Sequence, residues 1–180
     1  EGLLESNPLA GMSIDLKTGA RENTNRRGGS QSLSREQWMA ALEYFLALDP
    51  EDVEKPRRGR WTRADAVAKR RATIDLALLQ ATTGLRQSEA NRIDWSLVSM
   101  TKDGKMLIYV PKHIAKNKKP RTVPVLDPRV VERLNERRAA GALVIGSPTD
   151  QTAVWERGNC SKAARGLYDE VAEALGIEIM

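Results

Sequence analysis

The chain has 180 residues, 41% hydrophobic and 29% charged, a balance that argues against wholesale disorder and leaves length enough for one ordinary core. Lys and Arg number 29 against 24 Asp and Glu, and the resulting net charge of +5 points to a polyanionic partner such as nucleic acid. With Cys160 the single cysteine and His113 the single histidine, a disulfide framework and a zinc site of Cys and His ligands are both excluded.

No apolar run approaches the roughly 20 residues of a membrane span, and no signal-peptide pattern opens the chain. A soluble, reducing compartment is therefore expected. A chain that opens on Glu1 rather than Met is expected to be a piece of something longer.

Residues 1–32 lack sustained periodicity and are rich in Gly, Asn, Ser and Arg, which reads as a linker or arm. Regular structure is expected to start sharply at Ser34, which forms a capping-box pair with Gln37, while Leu33 and Trp38 have the spacing of a hydrophobic staple. Trp38, Ala41, Leu42, Phe45 and Leu46 carry the apolar stripe of a first helix, which stops by Pro50. A loop over 50–61 ends in the basic residues Lys55, Arg57, Arg58 and Arg60. Thr62 caps a second helix, with Asp65 placed at its positive end, and Gly84 closes it in a left-handed conformation. A short helix is expected over Ser88–Ile93.

Two β-type runs follow, Leu107–Val110 and Thr122–Val125, separated by the polar, turn-forming Lys116–Pro120. Together they predict a β-hairpin near 107–126. Asp127-Pro128 starts another helix, whose buried face is Val130, Val131 and Leu134, before Gly141. A loop containing Gly146, Pro148 and Gly158 leads to a last helix with Ala164, Leu167, Tyr168, Val171 and Leu175 on one face, ended by Gly176. The expected class is α+β, mainly α, with one small antiparallel sheet.

Two segments carry the chemistry. In Thr83-Gly84-Leu85-Arg86-Gln87-Ser88-Glu89 a glycine stops one helix, an arginine follows at once, and Ser88 can cap the next helix. A guanidinium rooted between two packed elements suits a phosphate, because its planar fork donates two parallel hydrogen bonds and keeps its charge. The competing reading is an ordinary Arg86–Glu89 pair. The second segment, Lys112–Arg121, holds five basic residues and no acidic one. It reads either as a solvated turn or as a hairpin that reaches into a DNA groove.

Taken together, Thr83-Gly84-Leu85-Arg86-x-Ser88-Glu89, Trp95, and Lys116-x-x-Lys119-x-Arg121-x-Val123-Pro124 resemble the catalytic domain of tyrosine recombinases, the phage integrase family of mobile elements. The resemblance covers roughly 33–180, and Asn7-Pro8 looks like the linker leaving that family's N-terminal core-binding domain. It implies metal-free and cofactor-free breaking and rejoining of double-stranded DNA, with DNA integration and recombination as the outcome and no small-molecule substrate. Arg86 matches the first catalytic arginine, which binds the non-bridging phosphate oxygens. Lys116 matches the hairpin lysine, the general acid toward the leaving 5′-oxygen, and Lys118 is a nearby rival for that role. Glu89 would orient Arg86 or its helix. Lys112, Lys118, Lys119 and Arg121 would track phosphates, the last three as exposed side chains. The family assembles as tetramers on DNA, so a homo-oligomer and a cytoplasmic, nucleoid-associated location are implied, with no membrane partner.

The sequence departs from that pattern: the family has a His-x-x-Arg box after the last helix, then a further His or Trp, then the nucleophilic Tyr that attacks the phosphodiester, and none of these is found here. His113 lies on the hairpin, and Arg165 has no histidine three places before it. Tyr44, Tyr109 and Tyr168 fall on helices and a strand, where a core or interface role is expected rather than that of a nucleophile. The same core or packing role is expected of Trp61 and Trp155, although loop tryptophans can stack on bases. Cys160, near a helix start, is expected to be passive, the alternative being a thiol of lowered pKa. The chain is thus expected to be the N-terminal part of a recombinase catalytic domain, inactive alone, with part of its last helix's apolar face exposed or covered by a partner. Two other readings stand beside it: a DNA-binding module without strand cleavage, and a helical interaction protein with an incidentally basic surface.

Overall fold

The computed structural model describes residues 33–53, 61–139 and 141–177, all within one unit of the chain. The expected arm over 1–32 and the basic loop end at Lys55, Arg57, Arg58 and Arg60 lie outside the described residues.

Helix α1 (Arg35–Ala47) opens on the capping box read from the sequence. The Gln37 N–H donates to Ser34 Oγ at 3.2 Å, and the Ser34 N–H donates to Gln37 Oε1 at 2.8 Å. Its buried face is Ala41, Leu42 and Phe45. Leu33, expected as half of a staple, is instead 46% exposed. Trp38 is half-buried and donates its Nε1–H to the Ala81 carbonyl at 3.0 Å, joining α1 to the next helix.

That helix, α2 (Arg63–Thr83), repeats the device with Thr62 and Asp65. Every residue from Ala72 to Leu79 is buried, so the middle of α2 is covered on all sides and forms the axis of the fold. Gly84 then adopts φ 68°, the left-handed conformation that glycine reaches at no steric cost, and its N–H donates to Gln80 O at 2.9 Å.

Helix α3 (Gln87–Ala90) is one turn long and starts earlier than expected. Arg86, not Ser88, occupies the cap position, and the orphan N–H there is satisfied by Glu89 reaching back. A 3₁₀ turn over Trp95–Leu97 leads to a three-stranded antiparallel sheet of β1 (Val98–Met100), β2 (Met106–Val110) and β3 (Arg121–Pro124), in the order β1-β2-β3. The predicted hairpin is β2–β3, with Val110 opposite Arg121 and Ile108 opposite Val123. β1 is an addition to the sequence reading. Met106, Ile108 and Val110 face the core while Tyr109 faces out, the period-two alternation of a half-buried strand. The connection from β2 to β3 folds back on the body, since Ile114 and Ala115 are both buried.

Helix α4 (Pro128–Asn135) starts as expected, with the Arg129 N–H donating to Asp127 Oδ1 and Pro128 at the first position, and buries Val130, Val131 and Leu134. Helix α5 (Arg157–Leu175) takes into its first turn Gly158, which was expected in the preceding loop, because Glu156 accepts from the N–H groups of Gly158 and Asn159, both at 2.7 Å. Leu167 is 2% exposed and Val171 4%, packed in the same core as α1 and α2. Ala164 is buried with them, while Tyr168 and Leu175 stay half-buried, so α1 and α2 close most of the face of which part was expected to stand open or to be covered by a partner. At about 1.5–3 kcal/mol for each large apolar side chain removed from water, the α5 face is a substantial part of the core.

The architecture is α+β and mainly helical, with one small antiparallel sheet. Among the described residues no helix is long and apolar enough to cross a membrane, and no three His, Cys, Asp or Glu side chains gather as a metal site would require.

Candidate nucleic-acid interface

Glu89 is the hinge of the candidate site. Its side chain is fully buried, and its carboxylate accepts from four donors on two separate parts of the chain. The Arg86 N–H donates at 3.1 Å and the Lys116 N–H at 3.2 Å. The Arg121 fork donates to both oxygens, Nη1 to Oε1 at 3.2 Å and Nη2 to Oε2 at 2.7 Å. One carboxylate thus fixes the backbone of Arg86 and of Lys116 against each other. Bonding to the Arg121 guanidinium, assisted by the two backbone N–H groups, outweighs burial and holds the Glu89 carboxyl down at about 2.

Arg86 does not pair with Glu89 through its side chain. The acid takes the Arg86 amide and leaves the guanidinium exposed. Arg121 departs from its expectation as an exposed tracker of phosphates. Its side chain is 32% exposed, and its fork is engaged by the buried acid, which a guanidinium satisfies better than water can.

Arg86 and Lys116 line one cavity of about 640 Å³, with Arg92 and Arg157 in the same wall. Arg86, Ser88 and Arg92 come from the α3 turn, Lys116 from the β2–β3 connection, and Arg157 and Ser161 from the start of α5. The walls are tied together. Ser161 Oγ donates to Gln87 Oε1 at 3.2 Å, and the buried Asn91 Nδ2 donates to Cys160 Sγ at 3.2 Å. Glu156, the one carboxylate in the lining, accepts from two backbone N–H groups of α5. Among the described residues no carboxylate forms an ion pair with Arg86, Arg92, Lys116 or Arg157. By contrast, Arg63, Arg70, Arg71, Arg121, Arg129, Arg133 and Arg137 are all paired.

The two rival lysines of the hairpin differ in reach. Lys116 lines both the Arg86 cavity and a smaller hollow of about 360 Å³ that it shares with Lys112, His113 and Lys118, whereas Lys118 lines the hollow and not the cavity. Lys119 is exposed on the turn, its N–H donating to Asn117 Oδ1 at 3.1 Å. Lys118 sits at φ 55°, the only residue other than glycine at positive φ among those described.

Tyr44 and Tyr168 have the structural roles expected of them. Tyr44 is half-buried and its hydroxyl donates to Glu170 at 3.4 Å, while the Tyr168 hydroxyl bonds Gln80 at 3.2 Å and is pushed up to about 12 by burial. Tyr109 differs: it is 45% exposed on the outer face of β2. Trp155 is buried as expected, and Trp61 is 51% exposed. Cys160 is buried, and desolvation raises its pKa, so the reactive-thiol alternative is set aside.

The sequence reading missed Arg92 and Arg157 as members of the site. Arg92 lies six residues past Arg86, within reach of a helical reading, but nothing in the sequence brings the start of α5 to the same wall. No protein-family model matches the chain, and no curated protein or solved structure matches it either.

Proposed function

We propose that this chain carries the arginine–lysine part of a tyrosine-recombinase-type catalytic site and acts on the phosphodiester backbone of double-stranded DNA. The observation that supports this reading is the meeting of Arg86 and Lys116, exposed and without a carboxylate partner, in one cavity whose backbone is fixed by Glu89. A guanidinium held there donates in parallel to two non-bridging oxygens and stabilises the charge that develops on them. In a site of this type a tyrosine oxygen, which none of this chain's three tyrosines brings to the cavity, bonds to phosphorus as the 5′-oxygen leaves, and the Lys116 ammonium gives its proton to that leaving oxygen. Integration and recombination of DNA are the activities to which such a site belongs.

A second reading, a DNA-binding module that does not cleave, is favoured by the tyrosines. None of the three lines the cavity. A nicked duplex that traps covalent protein–DNA adducts separates the pieces of this proposal. The chain binds the duplex with a steep salt dependence and forms no adduct on its own. A phosphotyrosyl adduct on Tyr44, Tyr109 or Tyr168 would contradict the structural roles given to them. Absence of duplex binding at low salt would remove both DNA readings and leave a helical interaction protein.

A further inference from the structure

The cavity at Arg86 has more cations than one phosphate requires. Lys116 comes to it from the β2–β3 connection, whereas Arg92 and Arg157 come from α3's end and from the first turn of α5. Both arginines are exposed, and among the described residues neither has a carboxylate partner. Their positions relative to Arg86 are fixed by the two bonds that join α3 to α5, Ser161 to Gln87 and Asn91 to Cys160. Four such cations in one cavity repel one another, and an anionic guest relieves that repulsion. At about 640 Å³ the space is in the range that encloses a sizeable ligand rather than a lone anion.

We propose that Arg92 and Arg157 form a second phosphate subsite, so that the cavity grips two consecutive phosphates of one DNA strand. One lies at Arg86 and Lys116 and its neighbour at Arg92 and Arg157. This rests on the DNA reading above and extends it. Two anchored phosphates set the direction of the strand through the cavity, whereas one anchored phosphate leaves the strand free to pivot. The second subsite therefore decides which bridging oxygen faces Lys116. Glu156 borders the subsite and keeps its charge, but its oxygens accept from the backbone N–H groups of Gly158 and Asn159 rather than from Arg92 or Arg157.

The test is the salt dependence of binding to a short duplex by the full chain. The variant R92Q/R157Q removes two charges from the subsite, and R35Q/R165Q removes two from exposed arginines that do not line the cavity. The expected result is a log–log slope reduced by about 1 to 2 in R92Q/R157Q and unchanged in R35Q/R165Q. A slope in R92Q/R157Q equal to that of the unmodified chain overturns the subsite while leaving the DNA reading intact. An equal fall in both variants also overturns it, because the slope then reports net charge alone. If the unmodified chain binds no duplex at low salt, the DNA reading fails first and takes the subsite with it. All four arginines are exposed, so thermal unfolding of the two variants is expected to match that of the unmodified chain.

Discussion

The arginines around Asp75 and those around the Arg86 cavity are the same side chain in opposite circumstances. Asp75 lies fully buried in the middle of α2 and is held by Arg133 Nε at 2.6 Å and Arg137 Nη1 at 2.8 Å. Arg137 also donates to the Ile145 carbonyl at 2.8 Å, and Gln151 Nε2 bonds the Arg137 carbonyl at 2.9 Å. That cluster joins α2 to α4 and to the loop before α5, with one buried carboxylate shared by two guanidiniums. In the cavity, Arg86, Arg92 and Arg157 are exposed, and among the described residues no acid forms an ion pair with them. Paired arginines build the fold here; among the described residues unpaired ones such as Arg35 and Arg165 also lie elsewhere, but Arg86, Arg92 and Arg157 share one cavity where a ligand can supply the missing charge.

Breaking the first region has the largest expected effect. Asp75→Asn leaves two guanidiniums in a nearly dry site without their counter-charge, at a cost of about 3–5 kcal/mol. Arg86→Ala removes an exposed side chain and changes stability by no more than about 0.5 kcal/mol. Urea unfolding of the two variants beside the unmodified chain measures both. Comparable losses in the two would show that Arg86 is a structural arginine after all, and the contrast between the regions would disappear.

Glu89 belongs to both regions, being buried like Asp75 and yet the support of the cavity. Glu89→Gln is expected to cost about 3 kcal/mol at neutral pH, from the fall of its pKa from 4.5 to about 2. The sign follows from linkage: the folded state lowers this pKa, so the stabilisation is complete above about 4.5 and is lost as pH falls toward 2. Unfolding measured across that window should show the unmodified chain approaching the Gln variant as the medium becomes acidic. A stability gap that stays constant down to pH 2 would mean that Glu89 acts by packing rather than by charge. The same variant loosens the amides of Arg86 and Lys116 together, so duplex binding should weaken although neither cation has been removed.

Much of this was legible in the sequence, and the reasons differ element by element. The starts of α1, α2 and α4 are local events, written in Ser34 and Gln37, Thr62 and Asp65, Asp127 and Pro128, and the structure reproduces each. Strand β1 was missed because three residues give period two nothing to repeat on. Its signal was the turn after it, where Asp103-Gly104 with Gly104 at φ 77° joins β1 to β2. The start of α5 was placed late because Gly158 read as loop, whereas the Glu156 carboxylate makes that glycine helical. The site divides in the same way. Arg86 and Lys116 stand out by their local surroundings, but the Glu89–Arg121 bond spans 32 positions and Arg157 meets Arg86 only through the packing of α5. Partners brought together by packing leave no local trace, so a paired arginine and an available one look alike in the sequence.

Lys118 provides the smallest and most discriminating test, because it places strain and charge on one residue. At φ 55° its Cβ crowds the following carbonyl, a cost of about 1–2 kcal/mol that glycine does not carry. Lys118→Gly relieves that cost but frees the unfolded chain, which returns about 0.5–1 kcal/mol of the gain. The net expectation is a modest stabilisation, of the order of 0.5 kcal/mol, visible as a higher midpoint in urea. Because Lys118 lines the smaller hollow and not the Arg86 cavity, the variant should lower the salt slope of duplex binding by no more than about 1. Stabilisation with no greater fall in slope than this places Lys118 among the peripheral cations and leaves Lys116 as the hairpin lysine. Loss of duplex binding on the scale of an Arg86 substitution would reverse that assignment, since the tip rather than the root of the connection would then be holding the phosphate.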